Sequence, residues 1–406
     1  MEMRVPFSPP DITEEEIRAV GEVLRSGWIT TGPRTKAFEK ELAKFLHTGR
    51  VAALSSATAA MELTLRLLGV GPGDEVITTA YTYTASASVA CHVGAKLVLV
   101  DTAEGSYEMD MDGLSRAITE RTKVIIPVDL GGRMCDVDQI YQIVEEKRHL
   151  FSPSGAMQEA FGRIVVLADG AHSLGTSRKG KMSGEAADFT CFSFHAVKNL
   201  TTGEGGAVTW RPVPGFSDEQ IYRQYMLLSL HGQSKDAYDK TKLGAWEYDI
   251  VTTGYKCNMT DIMAAIGQVQ LARYPQILER RKAIIQRYEE GLKELPLDIL
   301  AHFDWESASS GHLFLVRLTG LGREARDQMI TALAKEGIAS NVHYKPLPMH
   351  TAYKRLGFSI QDYPHAYRQF VNEITLPLHT CLTDEQVELV ICGFRKCYRK
   401  IAGLPG

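Results

Sequence analysis

Short apolar runs recur through the first half of the chain: EVIT near residue 75, LVLVD ending at Asp101, VIIPV at 124–128, IVVLAD ending at Asp169 and FTCFSF at 189–194. Helical patterns separate several of them, around 84–92, 112–118 and 137–148. The runs are apolar on both faces, as strands covered on both sides must be. Strand–helix alternation of this kind predicts a largely parallel sheet with helices over it. Two helices are predicted upstream. Thr13 to Glu16 reads as a capping box, followed by Ile17, Val20 and Leu24 at helical spacing. Ser55 and Ser56 precede a second helix with Ala57, Ala60, Met61, Thr64, Leu65 and Leu68 on one face and Gly69 at its stop.

After about residue 260 the texture changes. A long helical run follows MTDIMAAIGQVQLARY, and Pro275 marks a bend or boundary in it. HLFLVRL at 312–318 reads as a strand and RDQMITALAKEG at 326–337 as a helix. The expected organisation is a large domain over 1–270 and a smaller α/β domain over 271–406. With no repeat or low-complexity linker between them, the two should pack closely.

Composition narrows the classes. At 406 residues the chain exceeds the usual single-domain size, and 44% hydrophobic with 23% charged residues is ordinary for a globular protein. A net charge of -4 gives no reason to expect nucleic acid or an anionic membrane as main partner, so any phosphate must be held locally. The N-terminus lacks a secretory pattern, and no apolar run reaches the ~18 residues of a membrane span. Seven scattered cysteines without a CxxC pair argue against a disulfide framework or zinc site and fit a reducing cytoplasm.

Three places can carry chemistry. SSATAA at 55–60 opens a helix with small residues, so backbone N–H groups can approach an anion, with Ser56 and Thr58 hydroxyls beside it. Alone, it reads better as a plain serine cap on an ordinary helix. Asp169 ends a strand, at the sheet edge where α/β ligands bind, and a buried carboxylate there favours a protonated ring nitrogen. His172 lies three residues on. Alone, these fit a turn cap and a core histidine equally well. Lys198 follows FTCFSF, which places it at the same edge, with Ser193, Thr201 and Thr202 as hydroxyl donors. A sheltered lysine becomes nucleophilic toward aldehydes. Phosphate cradle, strand-end carboxylate and sheltered lysine together match what pyridoxal 5'-phosphate (PLP) requires.

The motifs SSATAAMEL, GVGPGDEVITTAYTYTAS, VLADGAHSLG, FSFHAVKNLTTGEGG and GYKCNMTDIMAAIGQVQL, in that order, resemble those of the DegT/StrS family of PLP-dependent sugar-nucleotide aminotransferases over about residues 7–400. The similarity is greatest to members that aminate C4 of nucleotide-linked 4-keto sugars. It implies a fold-type I PLP transferase with a mostly parallel, mixed sheet. It also implies that Lys198 carries the cofactor, Asp169 pairs with the pyridine nitrogen, His172 sits near the ring hydroxyl and Tyr83 stacks on the ring. Ser56, Ala57, Thr58 and Ser193 would bind phosphate. Asn258 would reach the phosphate of a neighbouring subunit, making a homodimer with shared active sites the working unit.

Two positions depart from the family pattern. Ala57 replaces a frequent glycine, tolerable if its φ is negative, and Pro348 stands in HYKPLPMHTAY where PLH is usual. The retained lysine disfavours the dehydratase branch, which has histidine there. The expected reaction moves an amino group from L-glutamate to a nucleotide-linked 4-keto sugar, giving an amino sugar for polysaccharide, glycan or natural-product synthesis. Alternatives are a cyclic ketone such as an inosose, a C3 keto sugar nucleotide, or a binding protein that retains only the fold.

Overall fold

The computed structural model describes residues 3–235 and 247–404. In chain order the strands are β1 (Val51–Leu54), β2 (Glu75–Thr79), β3 (Lys96–Val100), β4 (Thr122–Ile126), β5 (Val165–Asp169), β6 (Ser177–Arg178), β7 (Lys181–Met182), β8 (Phe189–Ser193), β9 (Gly206–Trp210), β10 (Leu297–Ile299), β11 (Ser307–Ala308), β12 (Phe314–Leu318) and β13 (Glu373–Leu376). The main sheet has seven strands in the order β1-β9-β8-β5-β4-β2-β3. β8, β5, β4, β2 and β3 are parallel neighbours, whereas β9 runs against both β8 and β1. The sheet is therefore mixed and mostly parallel, as expected. Every residue of β1, β2, β4, β5 and β9 is buried, the signature of a doubly covered sheet.

The five apolar runs are strands, and the predicted helices lie at Ala85–His92, Met111–Ala117 and Val137–Glu146. Periodicity did not predict β1 or β9, which are short and rich in alanine and glycine. Gly69 closes the helix Ala57–Leu67 with φ 71°, a left-handed conformation that favours glycine. Pro275 does mark a boundary: one helix ends at Ala272, and the next, Tyr274–Leu292, takes the proline in its first turn, where no N–H is needed.

The first helix, Glu14–Ser26, has the predicted reciprocal cap from Thr13 but presents a different face. Ile17 and Leu24 are 57% and 56% exposed, whereas Glu16, Ala19 and Val23 are buried against the helix Asp261–Ala272. The small side chains Ala19 and Ala265 permit that close packing. Glu16 earns burial by accepting from Gln270 Nε2 at 2.7 Å and Arg273 Nε at 3.0 Å.

Toward the C-terminus, β10, β12 and β13 form a three-stranded antiparallel sheet. Its core joins Phe314, Val316 and Ile374 to Ile284, Tyr288, Leu333 and Phe394 from three helices, with Val5 from the N-terminal segment. Tyr288 donates to Pro377 O at 2.8 Å, which keeps its buried hydroxyl paired.

Candidate active site

Topology alone gathers five chain segments at one edge. β4, β5 and β8 are adjacent and parallel, so their carboxyl ends lie together, at a place where open α/β sheets bind ligands. Antiparallel β9 starts at that same edge. Its first residue, Gly206, pairs with both Ser193 and Leu54, and the chain leaving β1 immediately opens the helix Ala57–Leu67. The approach is close: a Cβ on Gly206 would lie 2.3 Å from Ala57 N and from Ser56 C. Glycine is required here by space, not by φ.

A cavity of about 360 Å³ sits at this edge, within the size range of small-molecule sites. Ser56, Ala57, Thr58, Tyr83, Asp169, His172, Ser193 and Lys198 all line it, together with His343 and Tyr344. Eight of the nine residues singled out from the sequence are thus brought together. The ninth, Asn258, lies outside it. Its amide nitrogen donates to Thr31 Oγ1 and its amide oxygen accepts from Lys256, behind the β1 terminus. Thr201 and Thr202, expected as donors, point elsewhere: their hydroxyls donate to Phe194 O at 3.1 Å and Glu204 O at 2.6 Å.

At the helix start, Ser56 Oγ accepts from Ala59 N at 3.0 Å, leaving the N–H groups of Ala57 and Thr58 directed out of the helix end. Ala57 does not take a positive φ, so the side chain in place of glycine costs no strain. Pro348 is buried in the turn Leu347–Met349, and His343 and Tyr344 of that loop reach the cavity instead.

Asp169 accepts from Ser86 Oγ at 2.6 Å and from Ala171 N at 3.1 Å. Burial raises its pKa, while Ser86, the Ala171 N–H and the charge of Lys198 pull it down. A cationic ring nitrogen brought against it would add to that downward pull. Burial pushes the Lys198 amine down from its ordinary 10.5 to about 8, against the opposing attraction of Asp169. The lysine is thus close to releasing its proton at neutral pH, the condition for nucleophilic and proton-transfer work.

His172 is held neutral by burial, then by the charges of Lys198 and His343. Its Nδ1 accepts the Gly131 N–H at 3.2 Å, so the proton resides on Nε2, 3.3 Å from the Tyr344 hydroxyl. Its ring lies 4.2 Å from that of His312, whose Nδ1 is paired with Asn199 Oδ1 at 2.9 Å. Tyr83 is 61% exposed, with its ring 6.0 Å from that of Tyr344 at the cavity mouth. Ser86, Gly206, His312, His343 and Tyr344 were not foreseen. AYTYTAS contains Ser86 and GEGGAV contains Gly206, but nothing in the linear pattern distinguishes them from neighbouring small residues.

The donor set suits PLP. A phosphate fits the free N–H groups and hydroxyls at the helix start, where Gly206 keeps the approach open, and Asp169 and Lys198 stand at the ends of neighbouring strands to meet the ring. Fold and site define an aminotransferase of fold-type I that depends on PLP. Residues 10–395 match the model of the DegT/DnrJ/EryC1/StrS aminotransferase family, and the chain belongs to that family.

The chain is 37% identical over 395 residues, 96% of each protein, to the spore coat polysaccharide biosynthesis protein SpsC of Bacillus subtilis strain 168. It superposes with TM-score 0.96 on the putative sugar aminotransferase Spr1654 of Streptococcus pneumoniae in its PMP form, at 57% identity, covering 98% of this chain and 100% of that one. The PLP form of the same protein gives TM-score 0.94 at 56% identity, over 98% and 99% of the two chains. Helicobacter pylori PseC, an aminotransferase of pseudoaminic acid biosynthesis, gives 0.84 at 27% identity, over 98% and 100%. Among the described residues no helix is long and apolar enough to cross a membrane, and no cluster of side chains is suited to a metal ion.

Proposed function

We propose that the protein is a sugar aminotransferase in polysaccharide or glycan synthesis, moving the amino group of L-glutamate onto the 4-keto group of a nucleotide-linked sugar. The observation that carries this reading is the match to the putative sugar aminotransferase Spr1654 of Streptococcus pneumoniae at 57% identity over nearly the whole of both chains. The spore coat polysaccharide relative supports the same pathway class.

In this reading Lys198 would hold the cofactor, and its amine would serve as the acid–base group that moves a proton at the substrate carbon. Its lowered pKa suits both acceptance and return of that proton. The bound cofactor supplies an electron sink and carries the amino group from donor to acceptor. Asp169 keeps the ring nitrogen protonated, and Ser86 keeps Asp169 ionised. His172, with a neutral Nε2–H, would donate to the ring hydroxyl, and Tyr83 would supply a stacking face. Ser56, Ala57, Thr58 and Ser193 bind the phosphate.

Asn258 is assigned to the phosphate site of a partner subunit in a homodimer. Its position outside its own chain's cavity agrees with that role. The exposed apolar side chains Ile12, Ile17, Leu24 and Ile29, in and beside the first helix, support pairing with a second copy. The division into residues 1–270 and 271–406 and a cytoplasmic setting belong to the same proposal.

The test is an absorbance spectrum of the PLP-loaded protein before and after L-glutamate, followed by a panel of keto substrates. Conversion to the pyridoxamine spectrum by glutamate, and its reversal by a nucleotide-linked 4-keto sugar, is the expected result. Reversal only by an inosose or a C3 keto sugar would replace the substrate assignment. A spectrum indifferent to glutamate would remove the donor.

A further inference from the structure

His343 is held on every side but one. Its backbone N–H donates to Glu373 Oε2 at 2.9 Å and its carbonyl accepts from the Tyr81 hydroxyl at 2.9 Å. Phe7 stacks on its ring with centroids 5.7 Å apart and planes 17° from parallel, and Tyr344 packs edge-on at 4.9 Å. Ring atom Nδ1 lies 2.9 Å from Thr375 Oγ1, and that hydroxyl lies 2.5 Å from Glu373 Oε1. Among the described residues no partner takes Nε2. The ring lines both the Lys198 cavity and a smaller one of about 160 Å³ that adjoins it beside Lys198.

We propose that Glu373 is a positioning residue: acting through Thr375, it sets which ring nitrogen of His343 carries the proton. His343 thereby presents Nε2 to a substrate either as donor or as acceptor.

The chain of bonds has two self-consistent arrangements. With Glu373 ionised, Thr375 donates to the carboxylate and accepts from Nδ1–H, leaving a lone pair on Nε2. With Glu373 protonated, its O–H donates to Thr375, Thr375 donates to Nδ1, and Nε2 carries the proton. The exchange balances: one proton enters at Nε2, one leaves Nδ1 for Thr375, and the Thr375 proton passes to Glu373. The imidazole stays neutral throughout. That matters because burial, then the charge of Lys198, pushes His343 down to about 4, so an imidazolium is disfavoured there.

Burial raises Glu373 to about 8, countered by Thr375, the His343 N–H and the charge of Arg326, which brings both arrangements within reach near neutrality. The other titratable groups facing the relay are Lys198, His172 and His312 around the ring, and Tyr81, Tyr107 and Tyr344 around the carboxyl. An aminotransferase takes an amine donor and a keto acceptor in turn at one site. A contact that reverses its hydrogen-bond polarity without gaining charge serves both.

The test reads the ring directly and does not depend on turnover or on substrate identity. Two-bond proton–nitrogen spectra of 15N-histidine holoenzyme are recorded between about pH 6 and pH 10, with His343 identified by loss of its signal in His343→Gln. The wild-type ring should stay neutral and move its proton from Nε2 to Nδ1 as pH rises. In Glu373→Gln the backbone N–H of His343 holds the amide oxygen, so the amide nitrogen faces Thr375 and the ring should be locked with its proton on Nε2. Thr375→Val keeps the side-chain shape but breaks the relay, and the tautomer change should vanish. A single wild-type tautomer over the whole range, a doubly protonated ring, or a tautomer change that persists in either variant would overturn the proposal.

Discussion

Replacing Ser86 with alanine isolates the support of the strand-end carboxylate. Ser86 Oγ donates to Asp169 Oδ2 at 2.6 Å and is itself 2.9 Å from Thr82 Oγ1, both fully enclosed near the sheet edge. A hydrogen bond to a charged group contributes about 1.5–3 kcal/mol. Its loss should raise the Asp169 pKa further, since only the Ala171 N–H and the charge of Lys198 then oppose burial. A carboxylate weakened by that amount holds a cationic ring nitrogen less firmly, and amino-group transfer should slow roughly 10- to 150-fold at saturating cofactor. The assays are titration of 13C-labelled aspartate in cofactor-free protein and single-turnover conversion with an amino donor. Thr82→Val removes only the outer hydroxyl and should cost less, about 0.5–1.5 kcal/mol for a neutral bond. Turnover within twofold of wild type in Ser86→Ala, or an Asp169 titration that does not move, would refute this account.

Further outcomes follow from the same geometry. Lys198→Ala should lower turnover by at least the roughly 10²–10⁴-fold contributed by a placed acid–base group, measured as kcat under saturating cofactor and donor. Gly206→Ala should displace the helix start, because the added Cβ meets backbone at 2.3 Å; overpacking of about 1–3 kcal/mol would appear as weaker cofactor retention on dialysis. Besides Asp169, three enclosed carboxyls have raised pKa values through burial: Glu39 to about 7, Asp129 to about 7 and Glu373 to about 8. Each favours the folded state in its protonated form. That stabilisation is full below the unfolded-state values and is lost as pH rises to the folded ones, so the Tm of cofactor-free protein should fall between about pH 6.5, where the buried histidines cease to contribute, and pH 8. Glu39→Gln should flatten the decline, and a Tm that rises over this window would contradict the sign.

Much of the fold and site was legible in the linear pattern, and the reasons are local. A strand buried on both faces must be apolar along its length, so EVIT, VIIPV and IVVLAD declare themselves. Thr13, Glu16 and Ser56 satisfy the donors at their own helix starts, and a cap acts within three residues. Pro275 marks its boundary because its ring forbids an interior helical hydrogen bond. Asp169 and Lys198 stand out because a charged residue that ends an apolar strand, or lies a few residues beyond one, is placed at a sheet edge.

What the sequence could not decide depends on contacts between distant segments. The buried face of Glu14–Ser26 was chosen by Ala265, some 240 positions away, and by Arg273 and Gln270 pairing with Glu16; periodicity alone favoured Ile17 and Leu24. Gly206 matters only because β9 runs backward and brings it against Ala57. Ser86 becomes the partner of Asp169 across 83 residues, and the cavity acquires His343 from a loop tied to β13. The chain by itself determined its strands, its caps and the types of residue able to do the chemistry, since those rest on burial and on hydrogen bonds a few residues long. Only tertiary structure decided which groups meet at Lys198, because register, strand direction and helix rotation are set by partners that share no local signal.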